Sequence, residues 1–227
     1  MQVLSYTEEN YLKGIFKLTI EMADKTEAGT NEIASHLGIK PASVNDMLKK
    51  LKDKKLIHYE RYGKSSLTKE GKKRAIEIVR KHRLWESFLY EKLAFNWDEV
   101  HEVAEQLEHI QSNQLINHLD DFLGNPQFDP HGDPIPDSTG KMPVLSQINL
   151  TKFPLHIEGE ICSVGSQSSD MLSLLSHKHI EIGSKICVEQ FFAFDESIDV
   201  KINNNILVNI SAKLAQHLFV KKLNYAS

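Results

Sequence analysis

A proline-rich stretch near the middle of the chain most constrains its fold. Five of the seven prolines among the 227 residues fall between positions 124 and 143. They are Pro126, Pro130, Pro134, Pro136 and Pro143. Proline has no amide hydrogen for a helix or a central strand, and the glycines between these prolines favour turns. Residues 124–143 therefore predict a linker or an ordered surface loop between two regions of different pattern.

The region before this stretch has the periodicity of helices. Apolar residues three or four apart predict a helix from Tyr6 to Met22, which Thr7 can cap. A short helix over 30–37 ends at Gly38, and a second helix over 43–54 follows Pro41, which stands where a first helical residue is favoured. Residues 56–68 read as strand, turn and strand. Further helices are predicted from residue 68 to about 93 and from 97 to 123.

The region after the stretch has the pattern of short strands. Branched residues concentrate in 157–164, 185–194, 198–202 and 206–210, and Asn203-Asn204-Asn205 suits a hairpin tip because asparagine tolerates positive φ. This spacing predicts a small barrel. The fold class is therefore mainly α with a small β part.

Two further features bear on location. No apolar run approaches the roughly 20 residues that cross a bilayer, and residues 1–10 have neither a cationic start nor an apolar stretch. The two cysteines, Cys162 and Cys187, are too few for a disulfide scaffold. We expect a cytoplasmic protein with no membrane partner.

The net charge of −4 conceals a segregation of charge along the chain. Residues 40–83 carry 15 basic and 5 acidic side chains, a balance of +10, whereas residues 84–140 carry 1 basic and 12 acidic, a balance of −11. Such a pair of neighbouring blocks suggests one surface for polyanions and one for cations.

The basic block has the layout of a winged helix-turn-helix, with a wing that carries Arg61 and Lys64. The second helix would enter the major groove, where Asn45 can pair with adenine and Asp46 can accept from cytosine. Lysines favour phosphate contacts. The predicted DNA-binding residues are Pro41, Ala42, Ser43, Asn45, Asp46, Lys49, Lys50, Arg61 and Lys64. The alternatives are a merely solvated lysine-rich helix and a helix-turn-helix that binds protein.

The acidic block contains a pattern of metal-ligand residue types. His101, Glu105, Glu108 and His109 fall on one face of a predicted helix, and upstream His82 and Glu86 stand one turn apart. An ordinary amphipathic helix would also turn these groups outward together. However, no lysine or arginine lies between Lys92 and Lys141, and a divalent cation would offset that excess of negative charge. Nitrogen and hard oxygen ligands suit Mn²⁺ or Fe²⁺.

These residues resemble the DtxR/MntR family of metal-dependent bacterial repressors. The most specific stretches are residues 7–12, 80–86, 100–109 and 131–136. The resemblance implies three domains: a winged helix-turn-helix over 1–74, a helical metal-binding and dimerisation domain over 75–143, and a FeoA/SH3-like β-barrel over 144–227.

The resemblance also implies two metal ions per protomer. It assigns His82, Glu86 and His101 to one site, and Asn10, Glu105, Glu108 and His109 to the other. Iron-responsive members carry cysteine at the position of Glu105, so this residue favours Mn²⁺ over Fe²⁺. Asn10 departs from the family, which usually has Met or Asp there. Gln167 and Asp170 lie near positions where the third domain of some members supplies ligands, and His118 and His131 are expected at the surface.

The implied function is a homodimeric repressor, not an enzyme, that binds palindromic double-stranded DNA when metal is bound and controls metal-uptake genes. Three alternatives stay open. They are a hydrolase that activates water on the His/Glu cluster, a winged-helix regulator of an organic ligand, and a regulator that answers to iron.

Overall fold

The computed structural model describes residues 3–21, 25–60, 63–144, 146–203 and 206–223. Its first part is helical, with a small sheet. The helices are α1 (Tyr6–Phe16), α2 (Thr30–His36), α3 (Pro41–Asp53), α4 (Lys69–Leu93), α5 (Val100–Leu107) and α6 (Asn113–Phe122). A π-helical turn, Lys17–Glu21, continues α1. The predicted end of that helix, Met22, lies outside the described residues.

The cap of helix α1 lies two residues earlier than predicted. Ser5, in extended backbone, accepts the Glu8 amide at 3.3 Å, and the Glu8 carboxylate accepts the Ser5 amide at 2.9 Å. This reciprocal pair is a capping box. The expectation that Thr7 caps the helix is wrong, because Thr7 already lies within the first turn.

The helix-turn-helix matches its prediction closely. α2 gives way to Gly38 at φ +66°, and α3 starts at Pro41, whose missing amide costs nothing at a first helical position. The buried side chains of Ile33, Leu48 and Leu51 form its core. The wing is a three-stranded antiparallel sheet, in the order β1–β3–β2. Its strands are β1 (Ala28–Gly29), β2 (Ile57–Tyr59) and β3 (Lys64–Leu67).

The last part of the chain forms one six-stranded antiparallel sheet in the order β4–β9–β5–β6–β7–β8. The strands are β4 (Ile148–Asn149), β5 (Glu158–Val164), β6 (Lys185–Phe191), β7 (Ile198–Ile202), β8 (Ile206–Ile210) and β9 (Leu218–Lys222). This part of the chain also contains helices α7 (Ser169–His177) and α8 (Ala212–Ala215). Buried apolar side chains of the strands and of both helices form one hydrophobic core. Asn203, the first residue of the predicted hairpin tip, has φ +48°, whereas Asn204 and Asn205 lie outside the described residues.

By internal packing the chain divides into two compact units. The first contains Met1–His82, Gln106–Ile116 and Pro136–Lys141, and the second contains Arg83–Glu105, Asn117–Ile135 and Met142–Ser227. Among the described residues, no helix is both long and apolar enough to cross a membrane.

Candidate functional site

The helix predicted to carry four ligands ends before the last two. α5 stops at Leu107, so Glu108 and His109 lie in the turn that follows it and do not share its face. The consequence is a difference in burial. The side chains of His101 and Glu105 on α5 are 37% and 35% exposed, whereas that of Glu108 is fully buried and that of His109 is 7% exposed. The turn carries Glu108 and His109 into the interior of the first unit.

Glu108 is the centre of a polar cluster in the first unit. Its Oε2 atom lies 2.6 Å from His82 Nδ1 and 2.7 Å from the ammonium of Lys13 on α1. Its Oε1 atom has no hydrogen-bond partner among the described residues. A buried carboxylate oxygen without a donor is costly, and a bound cation would satisfy it.

His109 is held in place through one ring nitrogen. Its Nδ1 lies 2.6 Å from Glu9 Oε2, and its ring stacks on Tyr6 with a centroid distance of 4.3 Å. Gln111 donates to the other oxygen of Glu9 at 2.8 Å. When Nδ1 donates its proton to the carboxylate, the Nε2 lone pair is available to a metal, which is the usual carboxylate–histidine–metal arrangement. Glu9 was not predicted as part of the site.

Asn10, one residue further on α1, contributes a second unsatisfied oxygen. Its side-chain Oδ1 is buried and accepts no hydrogen bond from any residue that the structure describes. Asn10 Oδ1 and Glu108 Oε1 are both hard oxygen atoms in the same unit. Together with the Nε2 atom of His109, they are donors of the kind that Mn²⁺ and Fe²⁺ accept, so the residues present fit a metal of this class.

The second unit contains another cluster, centred on Glu86. This residue is fully buried on α4, one turn after His82, and its Oε1 atom lies 3.1 Å from His101 Nδ1. His101 Nε2 in turn lies 3.5 Å from Glu105 Oε1 on the next turn of α5. The predicted ligands of the second unit therefore lie in a connected chain of carboxylate and imidazole groups.

The proline-rich stretch adds two groups that were not predicted as ligands. Glu86, Asp129 and His131 are all buried, and one ligand atom of each lies within 4.8 Å of the others. The expectation that His131 is a surface residue is wrong, because its side chain has no exposure. The spacing of Asp129 and His131 around Pro130 was the available signal, but only the folded loop brings them to α4.

Hydrogen bonds of the loop fix this geometry. Asp129 Oδ1 accepts the His131 and Asp133 amides at 2.8 and 3.0 Å, and His131 Nε2 lies 2.8 Å from the Trp97 carbonyl oxygen. Arg83 donates to the Pro134 carbonyl at 2.7 Å. Asp129 Oδ2 and His131 Nδ1 are left without hydrogen-bond partners within the described ranges.

Both groups have perturbed acidity. Burial, reinforced by the nearby carboxylates of Asp133 and Glu86, raises the pKa of Asp129 well above its ordinary value. Burial alone would lower the pKa of His131, but the adjacent Glu86 and Asp129 carboxylates raise it to about 9. His131 thus carries a proton at neutral pH, next to Glu86.

The two residues considered in the third domain differ. Gln167 is half-buried and donates to Asp133 Oδ2 at 3.1 Å, so it contacts the proline-rich loop. Asp170 is exposed at the start of α7. His118 is exposed, as expected.

The predicted DNA-binding side chains on α3 lie largely in solvent. The exposed ones are Pro41, Ala42, Ser43, Asp46, Lys49 and Lys50, and Lys64 on the wing is exposed as well. Asn45 is half-buried, accepts from the Tyr59 hydroxyl at 2.7 Å and donates to the Pro41 carbonyl. Arg61 lies outside the described residues.

Large apolar side chains on α4 and α6, the helices of the region implied to dimerise, fall into two groups by burial. Trp85 and Leu89 are buried within the protomer. Leu115 and Phe122 on α6 are 42% and 65% exposed. The exposed pair are residues that a partner could cover.

Three family models match consecutive parts of the chain. Residues 3–64 match the iron-dependent repressor N-terminal DNA-binding domain, and residues 68–137 match the iron-dependent repressor metal-binding and dimerisation domain. Residues 148–222 match the FeoA domain.

Individual proteins agree with these matches. The iron-dependent repressor IdeR of Mycobacterium leprae is 32% identical over 161 residues, which cover 68% of this chain and 69% of that protein. A solved structure described as a manganese-dependent transcriptional repressor in complex with manganese matches with a TM-score of 0.86 and 31% identity, over 95% of this chain and 100% of that chain.

A different kind of relative matches a shorter segment. A probable metal transport system membrane protein of Chlamydia trachomatis is 47% identical over 76 residues, or 34% of this chain. The match spans 17% of the length of that protein.

Proposed function

The chain belongs to the iron-dependent repressor family, whose members are metal-dependent transcriptional repressors, and from that premise we propose that it is a homodimeric repressor activated by Mn²⁺ or Fe²⁺. Its target would be palindromic double-stranded DNA that controls metal-uptake genes. One observation carries the proposal: in the unit that holds both residues, buried oxygen atoms of Asn10 and Glu108 have no hydrogen-bond partner among the described residues, and Glu108 Oε1 lies 4.0 Å from Nε2 of His109, a histidine already oriented by a carboxylate. No catalytic turnover is involved.

Two ligand sets would hold two ions per protomer. Asn10, Glu105, Glu108 and His109 form one set, and His82, Glu86 and His101 form the other. Glu105, an oxygen ligand where iron-responsive relatives of this family have a thiolate, favours Mn²⁺. Glu9 is a positioning residue, because its contact with His109 Nδ1 at 2.6 Å selects the tautomer that presents Nε2.

The chain's own residues would convert binding into a switch. The bound cation supplies positive charge and fixed coordination directions. Asn10 lies on α1, which packs against α2 of the helix-turn-helix and β3 of the wing, whereas Glu108 and His109 lie beyond α5. Ligation by these residues would fix α1 relative to the turn after α5, and with it the orientation of α3. Metal can drive this change only if it binds the arrangement of α1 and α3 that fits DNA more tightly than it binds the metal-free arrangement.

The DNA-binding surface would use α3 and the wing. We propose that Pro41, Ala42, Ser43, Asn45 and Asp46 face base edges. Lys49, Lys50, Arg61 and Lys64 would contact phosphates. Asn45 would first have to release Tyr59, so its contribution depends on a side-chain rearrangement. A two-fold dimer requires half-sites separated by about one or more helical turns.

We retain three domains in this proposal: residues 1–74 for DNA binding, 75–143 for metal binding and dimerisation, and 144–227 as an FeoA/SH3-like domain. Gln167 links the last domain to the proline-rich loop through Asp133. Asp170, exposed on α7, would not be needed as a ligand.

Fluorescence anisotropy on an operator recovered from a randomised duplex pool tests the proposal. At one salt concentration, the full chain should bind tightly with Mn²⁺ or anaerobic Fe²⁺ and at least about 100-fold more weakly with chelator. Glu105→Gln and Glu108→Gln should abolish the metal dependence, whereas the exposed acid variant Asp170→Asn should preserve it. Equal binding with chelator would refute the metal switch. Regulated binding in both glutamate variants would favour an organic-ligand sensor.

A further inference from the structure

One cation of the chain itself lies among the proposed metal ligands. The Lys13 ammonium is 2.7 Å from Glu108 Oε2, and the carboxylate that it contacts has no solvent exposure. The Lys13 side chain is 17% exposed. Lys13 follows Asn10 by three residues on α1, so the two side chains lie on the same side of that helix.

We propose that Lys13 is a built-in cation that competes with the metal for Glu108 and thereby raises the metal concentration at which the switch operates. This inference rests on the proposed metal site. It concerns a specificity-determining residue that would tune that site without being a ligand.

The local geometry explains the competition. His82 Nδ1 and Lys13 Nζ both contact Glu108 Oε2, at 2.6 and 2.7 Å, so both lone pairs of that oxygen are engaged. A cation at Glu108 must therefore either displace the ammonium from Oε2 or bind through Oε1 with a positive charge directly across the same carboxylate. Since the carboxylate is buried, water screens this repulsion weakly. Either route makes metal binding weaker than it would be without Lys13.

The charges of the residues around Glu108 also indicate weaker metal binding. The proposed site offers two carboxylates, Glu105 and Glu108, together with an uncharged amide at Asn10 and an imidazole at His109. Lys13 neutralises part of that negative charge. The chain therefore has an attenuated site, in which the ion pair to Glu108 partly replaces the link from α1 that metal would otherwise provide.

The test is a Mn²⁺ titration of the full chain and its variants, followed by the electron paramagnetic resonance signal of free aqueous Mn²⁺. Lys13→Met should bind at least about tenfold more tightly, because a unit charge a few ångströms from a divalent cation is removed. Lys13→Arg, which keeps the charge, should bind within about twofold of the unmodified chain. Lys54→Met is the matched control: Lys54 pairs at 2.6 Å with buried Glu8 of α1, a carboxylate that is not among the proposed ligands. It should leave Mn²⁺ affinity unchanged.

Thermal unfolding provides a second readout, independent of DNA binding. In chelator, Lys13→Met should unfold at a lower temperature than the unmodified chain, because Glu108 loses its cation, and saturating Mn²⁺ should raise its midpoint by more than it raises that of the unmodified chain. Lys13→Gln gives the same comparison if the methionine variant does not fold.

Two failures are distinguishable. Mn²⁺ affinity that is unchanged or weaker in Lys13→Met, with the unmodified chain binding normally, would overturn this inference and leave the proposed function intact. No Mn²⁺ uptake by the unmodified chain would remove the metal site, and this inference with it.

Discussion

At the scale of single residues, Glu86 illustrates how one carboxylate can serve two neighbouring groups. Its Oε1 atom contacts His101 on α5, and its Oε2 atom lies 3.8 Å from His131 Nδ1 in the proline-rich loop. A cation bound on either side would draw on the same buried charge. We therefore expect occupancy near His101 and protonation of His131 to influence each other.

This buried histidine gives the metal-free chain a defined pH dependence. The pKa of His131 is raised from 6.5 to about 9 by Glu86 and Asp129, so the folded state binds a proton that the unfolded state releases at lower pH. The resulting stabilisation is fully present below about pH 6.5 and is lost as pH rises through about 9. The raised pKa of Asp129 also makes stability fall as pH rises, but this second contribution begins near the ordinary Asp value of 3.8 and so precedes the His131 window. Denaturant unfolding in chelator should show stability falling over this window, by at most about 3 kcal/mol.

Two histidine variants check the origin of that loss. His131→Gln should be less stable at pH 6.5 and should show a flatter pH profile. His118→Gln, at an exposed position, should follow the unmodified chain. A profile for His131→Gln as steep as that of the unmodified chain would assign the pH dependence to other groups.

At the scale of elements, the residue that caps α1 in the structure differs from the one that the sequence pattern predicted. Ser5 forms a reciprocal capping box with Glu8, whereas Thr7 lies inside the helix. Ser5→Ala should lower the free energy of unfolding by about 1 kcal/mol, and Thr7→Ala by no more than a few tenths. Urea unfolding of both variants measures this difference. A larger loss for Thr7→Ala would place the helix start two residues later.

Elements with local signals were predictable from the sequence. Gly38 at φ +66° and Pro41 at the first position of α3 define the turn of the helix-turn-helix through their own backbone preferences. β9 and α7 were not predicted. β9 is specified by pairing with β5, across about fifty residues of chain, and such long-range pairing leaves only a weak local pattern.

The candidate site was likewise predictable only where its signal is local in the sequence. Periodicity brought His82 and Glu86 to one side of a helix, and composition indicated hard-cation chemistry. Neither periodicity nor composition could show that α5 ends at Leu107, because the hydrogen bonds that end a helix leave only a weak signal in the sequence. Nor could they show that a loop places Asp129 and His131 against Glu86, since loop geometry depends on partners such as Arg83 and Trp97.

At the scale of the whole molecule, charge segregation has a thermodynamic consequence. The block over 40–83 has a balance of +10, although the chain carries a net charge of −4. DNA binding by such a chain depends on local counterion release and not on net charge. The acidic block would oppose nonspecific association elsewhere on the surface, so attraction to DNA is confined to the basic region.

The salt dependence of operator binding therefore tests which lysines contact phosphates. With saturating Mn²⁺, the logarithm of the binding constant should fall linearly with the logarithm of salt concentration. Lys50→Gln removes one exposed cation from α3 in each protomer, so a dimer should lose about two units of slope. Lys213→Gln, exposed in the region matched to the FeoA domain, is the equal-charge control and should leave the slope unchanged. Equal slopes for both variants would mean that α3 does not approach the phosphates at Lys50.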